Sequence, residues 1–282
     1  MKTDAINLVI EPEQLSALLS ERDDLIIVDL CQRSVYAQVH VPGAIHVDPS
    51  ELTLGEQPAP GKLPSEERLN ALFSRLGLSA DKTVIAYDDE GGGWAGRLIW
   101  TLDMIQHKNY AYLNGGIHAW IKSGMPTEQT INNGNTDQDP AQQYKLSALA
   151  EQPSVDKDYL LNNLDHSALK IWDARSEEEY LGLRSYAQKA GHIPGAVNYE
   201  WTQAMDRNNQ LKFRDLKIIR EELAALGIIG DSTQEIITHC QTHHRSGYTY
   251  LLGKVLGFDN IRAYPGSWAE WGNASDTPVT KD

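Results

Sequence analysis

LIIVDL at 25–30 returns as LKIWDA at 169–174, and HVPGAIHV at 40–47 returns as HIPGAVNY at 192–199. A third pair follows in the same order: TVIAYD (83–88) and EIITHC (235–240). Each continues through a polar loop and an apolar helix to a glycine-containing turn, NGGIHAW (114–120) and YPGSWAEW (264–271). Short, continuously apolar strands alternating with helical stretches specify a parallel sheet covered by helices. The His-x-Pro-Gly turns fit that scheme, because proline fixes φ and holds the preceding residue extended. Pro64 to Leu76 and Lys217 to Leu226 read as helices, with Gly77 and Gly227 as their C-terminal stops. Between the copies TEQTINNGNTDQDPAQQ (127–143) is polar and without hydrophobic period, as a linker is. The expected organisation is therefore α/β, with one domain over 1–128, a linker over 129–152 and a second domain over 153–282. Domains of about 125 residues are of ordinary size.

Composition narrows the function. Of 282 residues 41% are hydrophobic and 23% charged, an ordinary globular balance, and the net charge is −14. Phosphate neutralisation needs a basic face, so nucleic acid is not an expected partner, and anionic membranes are excluded on the same ground. No apolar run approaches the ~20 residues that span a bilayer. The stretch MKTDAINLVIEPEQ has too short an apolar core for a signal peptide, so a cytoplasmic protein is expected. The chain has two cysteines, Cys31 and Cys240. In a reducing compartment they form no structural disulfide, and they are too few for a cysteine-rich zinc site.

The copies differ in chemistry where their third strand ends. One presents Asp88-Asp89-Glu90-Gly91-Gly92-Gly93, the other Cys240-Gln241-Thr242-His243-His244-Arg245-Ser246. Both loops lie between the carboxyl end of a strand and a helix, where open parallel sheets bind ligands. The helix after Cys240 has Leu251, Leu252, Val255 and Leu256 as its apolar face. Its N-terminal amides, its dipole and Arg245 all favour a thiolate, and such settings lower thiol pKa values to about 3.5–7.5. Asp88 stands where the thiol would be and cannot carry sulfur, so the first copy is expected to be inactive. His243 and His244 are expected to line the anion pocket and His239 to be structural; no residues complete a metal site with them. Cys31 lacks a comparable setting and reads as a core residue. Gly91-Gly92-Gly93 lacks the Lys and Ser/Thr of a phosphate loop.

VDL, HVPGA, VIAYD and GGIHAW, followed by WDARSEEEY, GHIPGAVN, THCQTHHRS and GSWAEW, together resemble the tandem-domain rhodaneses, the thiosulfate:cyanide sulfurtransferases. The resemblance covers nearly the whole chain, and the CQTHHR loop is similar to that of bacterial members. It implies two tandem rhodanese-like domains, each a mostly parallel sheet flanked by helices on both faces. It further implies a degenerate first domain closing one side of a cleft, and a cysteine on a cradle of amides in the second. Carried over by motif, Cys240 is the persulfide carrier, Gln241, Thr242, His243, His244 and Arg245 complete the substrate loop, and Arg175 is an anion-binding arginine. Mammalian rhodaneses resemble Cys-Arg-Lys-Gly-Val-Thr in this loop and mercaptopyruvate sulfurtransferases Cys-Gly-Ser-Gly-Val-Thr; this chain follows neither. Lys189 stands one position further from the Gly-His-Ile-Pro-Gly turn than the basic residue usual there.

The expected chemistry is a double displacement from thiosulfate to cyanide or another thiophilic acceptor, with a covalent persulfide on Cys240 and no cofactor or metal. The alternatives are 3-mercaptopyruvate as donor, or a carrier passing persulfide to a protein such as a thioredoxin or an iron–sulfur assembly factor. A phosphatase would need Cys-x5-Arg, whereas Cys240 to Arg245 is Cys-x4-Arg.

Overall fold

The apolar segments of the first repeat become strands buried along nearly their whole length. A computed structural model describes residues 6–135 and 143–281. In the first repeat the elements run β1 (Val9–Ile10), α1 (Pro12–Glu21), β2 (Leu25–Asp29), α2 (Arg33–Tyr36), β3 (Ile45–His46), α3 (Glu66–Leu76), β4 (Thr83–Tyr87), α4 (Gly93–Met104), β5 (Tyr110–Leu113) and α5 (Gly116–Lys122). Their strands pair in the order β1-β5-β4-β2-β3, every pair parallel. Each residue of β4 is buried, as a strand covered on both faces must be.

The second repeat runs α6 (Lys157–Asn163), β6 (Leu169–Asp173), α7 (Glu177–Tyr180), β7 (Ala196–Asn198), the paired β8 (Met205–Asp206) and β9 (Lys212–Phe213), α8 (Leu216–Ala225), β10 (Glu235–His239), α9 (Arg245–Val255), β11 (Ile261–Ala263) and α10 (Ser267–Trp271). Its sheet is β11-β10-β6-β7, again all parallel. Where the first sheet has β1, the second keeps a single parallel bridge, Ser154 to Ala263.

Two compact units result, one built from Met1–Leu52, Pro64–Leu149 and Asp206–Phe213, the other from Thr53–Leu63, Ala150–Met205 and Arg214–Asp282. Each takes one segment from the other repeat, which the sequence periodicity gives no hint of. Part of the expected linker, 136–142, lies outside the described residues. The described flanks are tied to the first unit: Asn132 Nδ2 donates to the Gly43 carbonyl at 2.9 Å, and the Tyr144 amide donates to Ser74 Oγ at 2.8 Å. The helix expected over Pro64–Leu76 begins at Glu66, capped by Ser65, and stops at Gly77 with φ of 69°. The single apolar face read for α9 is too narrow a description: its residues from Ser246 to Gly253 are all buried, while Val255 is not. Among the described residues no helix is long and apolar enough to cross a membrane.

The paired His-x-Pro-Gly turns are pinned alike. His40 and His192 are buried, stack on Tyr36 and Tyr180 at 4.1 and 3.6 Å, and place Nδ1 at 2.7 and 2.9 Å from the carbonyls of those tyrosines. Each tyrosine hydroxyl in turn donates across the turn, to Ala44 at 2.9 Å and Ala196 at 2.7 Å. His192→Ala, which removes a stacked ring and a buried hydrogen bond, is expected to lower stability by about 1–3 kcal/mol in urea unfolding.

Candidate active site

Cys240 follows β10 directly, and five positions later Arg245 opens α9, so the loop 240–244 is forced to turn within a few residues. His243 takes φ of 57° to make the turn, a conformation costing a non-glycine residue about 1–2 kcal/mol. The loop is held from behind by the start of α10. Trp268 and Ala269 donate their amides to the carbonyls of Cys240 and Gln241 at 2.9 and 3.0 Å. Ser267, itself at φ of 53°, receives the Cys240 amide on its hydroxyl at 3.3 Å.

The thiol is 1% exposed. Burial pushes its pKa up, but the Arg245 charge, the Ser246 hydroxyl and amide, and the His244 charge more than offset this, and the thiol lies below its ordinary value. Ser246 Oγ stands 3.4 Å from Sγ and 2.8 Å from Nδ1 of His243. Arg245 is fixed by a two-pronged pair with Glu179, Nη1 to Oε2 at 2.5 Å and Nη2 to Oε1 at 3.0 Å. Burial opposes ionisation of Glu179, yet Arg245 holds its carboxyl below the usual range. Ser176 and Glu179 also form a reciprocal cap at the start of α7, so the residue that restrains Arg245 is itself seated by local structure.

The loop residues anticipated from sequence thus lie together around the thiol, but not all with the anticipated orientation. His244 stands edge-on to Trp201 at 5.5 Å between ring centres. Gln241 and Thr242 are half-buried. His243 is fully buried and turned to Ser246 rather than into a pocket. Arg175 differs most from expectation. It is 1% exposed, its guanidinium is paired with Asp173 at 2.6 Å, donates to the Gly191 carbonyl at 2.8 Å and lies 4.3 Å over the Trp268 ring. That geometry braces the ends of the strands under the loop. Lys189 Nζ donates to Thr277 O at 2.6 Å. His239 lies 3.6 Å from Asp173 and is driven by burial to a pKa of about 4, so it is neutral at physiological pH. Sequence reasoning missed Ser246, Glu179 and Ser267; only the Ser-x-x-Glu cap at 176–179 left a legible signal for one of them.

The first unit shows the same loop with a different occupant. Asp88 is fully buried and accepts four backbone amides: Glu90 and Gly92 on Oδ1 at 3.1 and 2.8 Å, Trp94 and Ala95 on Oδ2 at 3.0 and 3.0 Å. Burial and neighbouring Glu90 still push its pKa to about 6. Cys31 is buried too, and burial with Asp29, Asp89 and Asp88 raises its pKa far above the ordinary thiol value. Among the described residues no group of three or more His, Cys, Asp or Glu side chains gathers as a metal site.

A family model described as a rhodanese-like domain matches residues 11–123 and 156–274. A thiosulfate sulfurtransferase of Azotobacter vinelandii is 49% identical over 98% of this chain and 97% of its own length. A sulfur carrier protein, TtuD, of Thermus thermophilus is 30% identical over 88% of this chain and 87% of its own. The wild-type structure of EanB superposes with a TM-score of 0.85 at 21% identity, covering 96% of this chain and 68% of that one, a likeness of fold.

Arg245→Gln removes the largest of the contributions that together outweigh burial. The pH midpoint for alkylation of Cys240 by iodoacetamide, followed by intact mass, is expected to rise by about one unit or more.

Proposed function

The chain belongs to the rhodanese-like domain family, and from that premise we propose that it is a thiosulfate sulfurtransferase working through a Cys240 persulfide. The observation that carries the reading is a buried thiol of lowered pKa beside Arg245, Ser246 and the start of α9, whereas burial raises the pKa of Cys31. The Cys240 thiolate attacks the outer sulfur of thiosulfate. The sulfur–sulfur bond of the donor breaks, and sulfite departs with its electron pair. Cyanide then attacks the outer persulfide sulfur, the bond to Sγ breaks, and thiocyanate leaves with the thiolate restored. No redox partner is required by this balance, and no metal or cofactor is assigned.

In this scheme Gln241, Thr242, His243, His244 and Arg245 form the substrate loop. Their peptide N–H groups and α9 hold the charged outer sulfur, as oriented amides do for anions. Arg245 meets the dianion with the part of its guanidinium turned away from Glu179. His244 and Trp201 offer a partly apolar wall. His243 acts through Ser246, whose hydroxyl donates to sulfur. Arg175 is read as support for the loop. The chemistry suits the cytoplasm, where thiols such as Cys31 and Cys240, both free, stay reduced.

A second reading has the persulfide passed to a protein acceptor such as a thioredoxin or an iron–sulfur assembly factor, and it draws support from the sulfur carrier relative. The same Cys240 chemistry serves both, and 3-mercaptopyruvate is the rival donor.

Cys240→Ser is expected to lower thiocyanate formation by at least about a thousandfold, whereas Cys31→Ser leaves it unchanged; a Cys240→Ser protein retaining most of its activity overturns the assignment. Steady-state rates with thiosulfate or mercaptopyruvate against cyanide are expected to give parallel reciprocal plots, with thiosulfate the faster donor.

A further inference from the structure

We propose that Gly61, a residue of the first repeat's sequence, is a positioning residue for the Cys240 cradle: it lets the segment Thr53–Leu63 seat directly on the active-site loop and fix the orientation of its amides. The inference rests on the reading of Cys240 as the sulfur-carrying thiol. The segment lies between two parts of the first unit in sequence but belongs to the second unit in space. It is closed on itself by Leu54 N to Lys62 O at 2.8 Å, Gly55 N to Pro60 O at 3.0 Å and Lys62 N to Ala59 O at 3.1 Å. It is also anchored, by Lys62 Nζ to Glu270 Oε1 at 2.8 Å on α10, where Glu270 also accepts the Tyr264 hydroxyl at 2.9 Å. Ala59 and Gly61 are buried, although the tip from Gly55 to Pro58 is exposed.

What the buried end touches is specific. A methyl group added to Gly61 would overlap the carbonyl oxygens of both Thr242 and Pro265. Only a residue without a Cβ fits against two carbonyls that closely. Those two carbonyls belong to the two loops that hold the thiol. The Thr242 carbonyl shares its peptide plane with the His243 amide. In a planar trans peptide the C=O and N–H point in opposite directions, so a grip on that oxygen from outside sets the direction of the amide on the other side. The Pro265 carbonyl lies two residues before Ser267, whose hydroxyl receives the Cys240 amide. One glycine therefore spans both supports. The strain at His243 and Ser267, both at positive φ, needs such outside restraint to persist.

The test measures alkylation of Cys240 across pH in the full-length protein, read by mass without any sulfur donor, alongside thiosulfate turnover. Gly61→Ala is expected to raise the alkylation midpoint by about half a unit or more and to lower kcat/KM by about tenfold. Gly55→Ala is the control: Gly55 has φ of 79° and open space around it, so alanine there strains the same segment without touching the loop, and the profile should not move. Lys62→Ala, which releases the anchor and adds no atoms, should shift the midpoint in the same direction by less. A Gly61→Ala profile that superposes on the parent's overturns the proposal, as does an equal shift in Gly55→Ala. If Gly61→Ala does not fold, Lys62→Ala decides, and an unmoved profile overturns it. Because alkylation needs no turnover, failure here is distinct from retained activity in Cys240→Ser, which would overturn the underlying assignment.

Discussion

A sulfur 1% exposed to water has lost the solvent that would otherwise stabilise a negative charge on it, and the second unit is arranged around replacing that solvent. Burying a charge without partners costs several kcal/mol, so a thiolate here requires Arg245 and the hydroxyl and amide of Ser246. Arg245 is itself mostly buried and requires Glu179. Glu179 is placed by its cap with Ser176. The chain of dependence runs from sulfur to guanidinium to carboxylate to a helix start, each group compensating the one before it. Beneath it, Asp173 and Arg175 brace the strand ends, with neutral His239 between sheet and loop.

The two units solve the same geometric problem with different chemistry. Where the second has the Asp173–Arg175 pair, the first has Asp29 accepting the Tyr87 hydroxyl, with Cys31 in the place of the arginine. Where the second has a thiol of lowered pKa, the first has a carboxyl bound to four amides. The fold tolerates either because both loops are held by the same backbone bonds, Ile117 N to Asp88 O at 3.1 Å and Trp268 N to Cys240 O at 2.9 Å. The difference between the two loops is thus carried by side chains on a shared backbone.

Much of this was legible from sequence. The strand segments, the parallel sheets, the helix stop at Gly77 and the loop carrying Cys240 follow from periodicity and turn chemistry, which act locally. Three features were not, and each depends on contacts distant in sequence. The exchange of Thr53–Leu63 and Asp206–Phe213 between units leaves no periodic trace. Arg175 reads from its motif as an anion-binding arginine; that Asp173 two residues earlier claims its guanidinium depends on how β6 ends. His243 reads as a pocket donor until its positive φ turns the ring inward to Ser246.

Asp88 gives the first loop a permanent ligand, supplied by its own chain. Four amides of that loop are bonded before any solute arrives, whereas a group bound by the second loop would add to that loop's stability, as ligand linkage requires. The arrangement also limits what a single substitution can do. Gly93 stands where Arg245 does, so exchanging Asp88 for cysteine would forfeit four hydrogen bonds and still leave the new thiol without a cation. Giving this loop the thiol and cation of the other would therefore take two changes, the first of them destabilising.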